Sequence, residues 1–395
     1  MEEQSSPVAG TPTQEEETRA RWAWAEPSVW TDRMLAALEN GVKGGKWFSL
    51  VDKVWNPANL RASWEKVKAN AGGSGVDGQT VQAYAFRLEE ELANVSAWLR
   101  LDRYVPQSVR RVWIPKPGSA EKRPLGIPAV RDRVVQGALR QVVEPIFERM
   151  FAAHSYGFRP GRGCKDALRR IDALLKSGHT WVVDADLKSY FDTIPHEPLM
   201  ARVEEQIADG RVLALIRGYL KQGVMDGLAA WTPESGTPQG AVISPLLANL
   251  YLNPLDHLMA AKGCEMVRYA DDFVILCRTR EEAETALAMV REWVTQAGLT
   301  LHPEKTRIVN EAEGFDFLGY HFEGGKRWPR QKSMGKFRDG IREVTRRANG
   351  KSMDEIIARL NPKLRGWYGY FKHSRKSTFI TLDGWIRRRL RTILK

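Results

Sequence analysis

The chain has 395 residues, 43% hydrophobic and 27% charged, the balance of a globular protein with room for two or three packed units. No apolar run reaches the roughly 18–20 residues that cross a bilayer, and Met1-Glu2-Glu3-Gln4 lacks a signal peptide's basic-then-apolar pattern, so a cytoplasmic location without a membrane partner is expected. The net charge of +12 is unevenly placed: residues 326–395 hold 21 Lys/Arg against five Asp/Glu, or +16, leaving −4 for the rest and favouring a polyanion-binding C-terminus.

In chain order, residues 1–27 are acidic and rich in Pro, Gly and Ser, and read as a disordered tail. Trp30, Met34, Leu35 and Leu38 then recur at helical spacing. Residues 57–71 form a second amphipathic pattern, broken by Gly72-Gly73-Ser74-Gly75. Val112-Trp113-Ile114, a Pro/Gly-rich loop and Leu125-Gly126-Ile127 read as strand, loop, strand, with Lys116, Lys122 and Arg123 around the loop. Residues 132–177 are helical with a break at 155–163, Trp181-Val182-Val183 opens a buried strand, and 266–276 has the β-rich composition of a hairpin. Residues 280–297 and the stretch from Met334 onward return to helical periodicity. Helices alternating with short strands, then an all-helical segment, indicate an α/β or α+β core with a helical appendage. Cys164, Cys264 and Cys277 are far apart, contain no C-x-x-C pair and total an odd number, so they read as reduced thiols.

The chemistry is carried by carboxylates. In Val267-Arg268-Tyr269-Ala270-Asp271-Asp272-Phe273-Val274, strand-favouring residues flank two adjacent acids. Like charges side by side repel, a cost that a structural role seldom requires and that a divalent cation relieves. In Trp181-Val182-Val183-Asp184-Ala185-Asp186, period-two alternation puts Asp184 and Asp186 on one face. If the two strands are neighbours, three carboxylates meet as at a two-metal phosphoryl-transfer site.

These segments, in this order, resemble the reverse transcriptases encoded by bacterial group II introns, also called maturases, over residues 28–395. The resemblance implies an α+β right-hand polymerase. Fingers and palm (an antiparallel sheet plus helices) would occupy residues 28–325, and a basic helical thumb, the maturase-specific or X region, residues 326–395. It implies RNA-directed DNA synthesis, with Asp186, Asp271 and Asp272 as catalytic residues holding two Mg2+ ions (Mn2+ able to substitute). Asp184 then reads as a supporting carboxylate and Asp192 as orienting the following turn. Phe191 matches the sugar gate, and Gln239, within Gly236-Thr237-Pro238-Gln239-Gly240, lies beside the incoming nucleotide. Ser244-Pro245 reads independently as a helix start.

Lys116 and Arg123 match the triphosphate-holding positions, whereas Lys122 reads as a solvated lysine. Lys305 is left between a triphosphate or primer contact and a structural salt bridge, and His302 reads as packing. Nucleic-acid contacts are expected from Arg159 and Arg162 of Ser155-Tyr156-Gly157-Phe158-Arg159-Pro160-Gly161-Arg162, from Tyr269, and from Arg365, Arg387, Arg388 and Arg389. Trp367, Tyr368 and Tyr370 read as thumb core. The implied partners are group II intron RNA, an RNA template with a DNA primer, and dNTPs, with room left for a homodimer. Many relatives continue into a DNA-binding segment and some into a zinc-bound nuclease; with Lys395 last, neither a nuclease nor autonomous target cleavage is expected. Two other readings stay open: an RNA-binding maturase with little polymerase activity, and a related enzyme recruited to defence or repair.

Overall fold

A computed structural model of the chain describes residues 13–115, 122–347 and 350–394. Its strands in chain order are β1 (Val109–Pro115), β2 (Lys122–Ile127), β3 (Trp181–Asp186), β4 (Val224–Asp226), β5 (Ala229–Trp231) and β6 (Glu265–Tyr269). There follow β7 (Asp272–Cys277), β8 (Arg307–Asn310), β9 (Phe315–Phe317), β10 (Tyr320–Glu323) and β11 (Lys326–Pro329). They form three sheets, ordered β2-β1-β4-β5, β6-β7-β3-β8 and β11-β10-β9. The chain packs as two compact units, each discontinuous in sequence. One holds the described residues up to Trp113, Pro124–Phe151 and Phe191–Tyr251; the other holds Ile114–Arg123, Ala152–Tyr190 and Leu252 onward.

The first unit is built on the helix Val130–Glu148, buried along nearly its whole length. It packs on the helix Pro57–Asn70 through small and polar residues whose donors reach the partner's carbonyls. Ser63 Oγ donates to Val134 O (2.7 Å) and Asn59 Nδ2 to Ala138 O (3.1 Å). Trp64 stacks on Tyr84 with centroids 5.0 Å apart, both fully buried. The gap between the helices Pro57–Asn70 and Val81–Phe86 coincides with Gly72-Gly73-Ser74-Gly75, as the sequence suggested.

Part of the segment read as a disordered tail is ordered. Residues 1–12 lie outside the described residues, but Gln14–Arg21 is a helix closed by a Thr13/Glu16 capping box. Arg19 pairs with Asp32 (2.6 Å) and Trp22 Nε1 donates to Glu39 (2.7 Å), with Trp22 buried. A capping box and a buried indole outweigh the local acidity.

In the second unit, β3 lies between β7 and β8, antiparallel to both. Val182, Val267, Val274, Leu276 and Val309 form its core with Ile171 and Leu174 of the helix Cys164–Lys176 and the rings of Phe315 and Phe322. Three basic helices close the chain: Gln331–Val344, Met353–Phe371 and Lys376–Leu394. They share a core of Phe337, Ile341, Leu360 and Leu382 with Trp367 and Trp385 against it. Trp367 and Tyr370 therefore pack inward, whereas Tyr368 is 56% exposed. Among the described residues no helix is long and apolar enough to cross a membrane.

Candidate active site

The Tyr269-Ala270-Asp271-Asp272 segment is a tight hairpin tip. β6 and β7 pair down to Tyr269↔Asp272, which forces Ala270 into the left-handed region at φ 61°. Arg268, fully buried, holds this turn from beneath: its guanidinium meets the Asp256 carboxylate (Nε–Oδ1 2.8 Å) and donates to Ala270 O (2.8 Å). From the other side Gly157 lies so close that a Cβ there would meet Ala270 N at 2.3 Å. That approach is the reason the Ser155–Arg162 segment carries glycine at this position.

The β3–β7 register sets Asp186 directly opposite Asp272, and Asp184 opposite Val274 and Arg307. Asp184, Asp186, Asp271 and Asp272 are thereby crowded at one end of one sheet. Asp272 is pushed up to about 7, first by burial and then by Asp184, Asp271 and Asp186, with Arg330 opposing. Burial raises Asp271 and Asp184 as well. Two cations answer the crowding: Lys305 Nζ sits 2.5 Å from Asp186 Oδ2, and Arg307 Nε 3.4 Å from Asp184 Oδ2. Lys305 thus takes the salt-bridge side of its two readings in this structure. The backbone N–H of His302 donates to Asp186 O (2.7 Å), tying the Leu299–Lys305 segment to the end of β3.

Among the described residues no three metal-capable side chains close around one point as they stand. The donor set nonetheless fits a hard divalent cation: carboxylate oxygens only, mutually repelling, with one held by a displaceable lysine.

The other unit places Gln239 and Asp192 together. Gln239 Nε2 donates to Asp192 Oδ2 (3.1 Å), and both line a cleft of about 270 Å3 with Arg111, Trp231 and Thr237. Asp192 is raised by burial, which Arg111 and the Gln239 amide oppose. Arg111 lies over the Trp231 ring at 4.7 Å. Gly236, at φ +89°, passes Asp192 so closely that a Cβ would meet its backbone at 2.8 Å. Asp192 as the partner of Gln239 went unread in the sequence; a separation of 47 positions hides it. Phe191 is half-buried beside it, its carbonyl accepting from Thr237 N (2.6 Å). Ser244 opens the helix Ser244–Ala261, and its hydroxyl donates to Pro238 O (3.0 Å). Arg123 is exposed on β2, and Lys116 lies outside the described residues.

Several expected nucleic-acid contacts are turned inward. Arg159 is buried, and its Nη1 donates to Ala152 O (2.6 Å) and Ser155 O (2.8 Å), bracing the loop instead of meeting a phosphate. Arg162 is half-buried, donates to Ala153 O and lies 5.9 Å over Tyr156. Arg389 donates to Thr345 Oγ1 (2.7 Å) and Thr345 O (3.0 Å), closing the end of the helix Gln331–Val344. Tyr269 packs against the palm core, its phenol raised by a hydrogen bond with Cys164 and by burial. Arg365 and Arg388 remain exposed, and Arg387, also exposed, pairs with Asp383 at 2.8 Å. The arginines turned inward share one cause: backbone carbonyls at loop and helix ends need donors as much as phosphates do.

A sheet-borne aspartate cluster at a hairpin tip, beside a basic helical bundle, belongs to a template-directed polymerase, and comparison with known proteins gives the class. Residues 114–322 match the family model for reverse transcriptases, RNA-dependent DNA polymerases, and the chain belongs to that family as an RNA-directed DNA polymerase. Residues 334–395 match the maturase-specific domain of group II introns, which places it among the intron-associated members. It is 33% identical to Protein YkfC of Escherichia coli over 340 residues, covering 76% of this chain and 85% of that protein. It is 38% identical to the group II intron-encoded protein LtrA of Lactococcus lactis over 196 residues, 49% of this chain but only 32% of LtrA. A telomerase structure from Candida albicans overlaps 80% of this chain and 63% of its own at 12% identity and a TM-score of 0.46, too low to add to the assignment.

Proposed function

We propose that this polymerase extends a DNA primer on an RNA template, with Asp186, Asp271 and Asp272 holding two Mg2+ ions. The observation that carries this reading is the register that sets Asp186 against Asp272 in a crowded cluster, where burial first and the neighbouring aspartates second raise Asp272 to about 7. Bound there, such ions would supply Lewis acidity at the primer 3′-hydroxyl and the departing pyrophosphate. The protein's own part is to hold the carboxylates at a rigid tip, through Arg268 and Asp256 below and Gly157 alongside. Asp192 fixes the Gln239 amide so that its remaining polar atoms face a nucleotide, and Phe191 excludes a ribose 2′-hydroxyl. Arg123 and Lys116 would meet the triphosphate, a role suited to cations opposite a metal-bearing acid cluster. The maturase-specific domain supports a second duty, binding the intron RNA and promoting its splicing.

Primer extension on an RNA template with Mg2+ tests the first duty. Wild-type protein should incorporate dNTPs, and Asp271→Ala should fall to background. Equal synthesis by both would remove the catalytic assignment, and no synthesis by either would leave an RNA-binding maturase.

A further inference from the structure

The catalytic carboxylates sit at the C-terminal end of β3, while a second charged feature of the same unit lies at the other end. Thr180, just before β3, lines a cleft of about 500 Å3 whose rim carries Lys176, Lys326, Arg327, Arg375 and Lys376. Asp186 lies six residue steps of extended chain from Thr180, about 20 Å. A phosphate seated in this cleft is therefore not the reacting triphosphate.

The cleft is built rather than accidental. Arg327 is gripped by both oxygens of Asp172 (2.5 and 2.6 Å), and its carbonyl accepts from Arg375 N (3.1 Å). These contacts tie β11 to the junction of the last two helices. Arg375 lies over the Trp328 ring at 5.0 Å, which fixes its charge at the rim. Glu311, which also lines the cleft, is committed to Gly325 N (2.7 Å). Among the described residues, Lys176, Lys326 and Lys376 are exposed with no side-chain ion-pair or hydrogen-bond partner. The helix Lys376–Leu394 begins at this rim and adds the positive end of its dipole. His373, on the same wall, is held below its usual value by burial first and then by Arg327 and Lys372.

We propose that this cleft binds the sugar–phosphate backbone of a folded RNA segment distinct from the template being copied. Rigid arginines bound by Asp172 and Trp328 shape the site, and three flexible lysines neutralise successive phosphates. RNA, and not an acidic protein, is the occupant that fits. The surrounding C-terminal segment carries +16 over residues 326–395, and several cations gathered around one cleft match the repeated charge of a phosphate chain. The inference rests on the RNA-binding half of the proposed function and is independent of catalysis.

The test compares wild type with Lys176→Gln/Lys326→Gln/Lys376→Gln in two assays. One is salt-dependent binding of a labelled, folded group II intron transcript; the other is primer extension on a short RNA oligonucleotide template. The triple variant should lose at least about tenfold in affinity for the transcript, with a log–log salt slope shallower by about 2. Its short-template extension and thermal melt should match wild type. Unchanged affinity and slope would overturn the proposal. So would a parallel loss of extension, which would put the lysines on the primer–template, or competition by duplex DNA as effective as by unlabelled transcript. A wild type without extension whose transcript binding still depends on the lysines would sink the polymerase reading and leave this one standing.

Discussion

Two regions of the molecule bury carboxylates, and they solve the problem in opposite ways. In the first unit Asp132 is wholly buried and accepts from Tyr104 OH (2.6 Å), Gln107 N (2.9 Å) and Gln222 Nε2 (3.2 Å). Tyr104 in turn lies 2.7 Å from the Tyr219 hydroxyl. Burial pushes Asp132 up to about 6, and three neutral donors close it off with Arg131 Nε 3.7 Å from its Oδ1. In the second unit Asp272 is raised to about 7 by burial too, but three further aspartates add to it with Arg330 opposing, and Lys305, 60% exposed, is attached to Asp186. A raised carboxylate therefore does not distinguish a structural acid from a functional one; repulsion left open to solvent does. Asp256 is an intermediate case, buried and paired with the buried Arg268.

The contrast can be broken most forcefully at Arg268. Arg268→Met leaves Asp256 as an uncompensated buried charge and should lower stability by about 3–5 kcal/mol in chemical denaturation. A loss below about 1 kcal/mol would mean that the hairpin tip does not depend on the pair.

A pH series sharpens the closed side. Asp132 has a folded-state pKa of about 6, above the unfolded value of about 3.9. Its contribution is therefore fullest below pH 4 and is lost as pH rises through 6. Wild type should lose up to about 2–3 kcal/mol relative to Asp132→Asn between pH 4 and 7. Parallel stability profiles for the two proteins would contradict the closed-acid description.

The open side predicts a smaller effect. Mg2+ should stabilise wild type by about 1.4 kcal/mol at ten times its dissociation constant, and more strongly at pH 8 than at pH 6, because protons compete for Asp272. Lys305→Met should bind Mg2+ more tightly, since the ion no longer has to displace an ammonium from Asp186. Calorimetric titration checks both, and an affinity for Mg2+ lowered by this substitution would show that Lys305 supports the ion instead of competing with it.

Much of the site was legible because it is local. The β6–β7 hairpin joins residues that are close in sequence, so strand-favouring apolar residues flanking Asp271-Asp272 were enough to expect a turn with acids at its tip. The period of one short strand put Asp184 and Asp186 on one face, and the choice of Asp186 between them came from the family resemblance. The partners that hold these residues were not legible. Asp192 meets Gln239 across 47 positions, and Tyr104 meets Tyr219 across 115, with nothing in either neighbourhood to mark the pairing. Arg159 was read from its family motif and Arg389 from its charge, and folding turned both toward backbone carbonyls. The order of residues 14–21 was missed because composition outweighed a capping box that was present in the letters themselves.

By itself the sequence determined the chemistry: which acids exist, their strand-borne spacing, and a positive charge gathered into the last 70 residues. These are properties of short windows or simple sums, and they survive without coordinates. Only the tertiary structure decided which charges meet and which face water. It set Asp186 against Asp272, placed Lys305 on Asp186, withdrew Arg159 from solvent and left Lys176, Lys326 and Lys376 around one cleft. The physical reason is that charge adds along a chain, whereas burial and pairing depend on what long-range packing brings alongside.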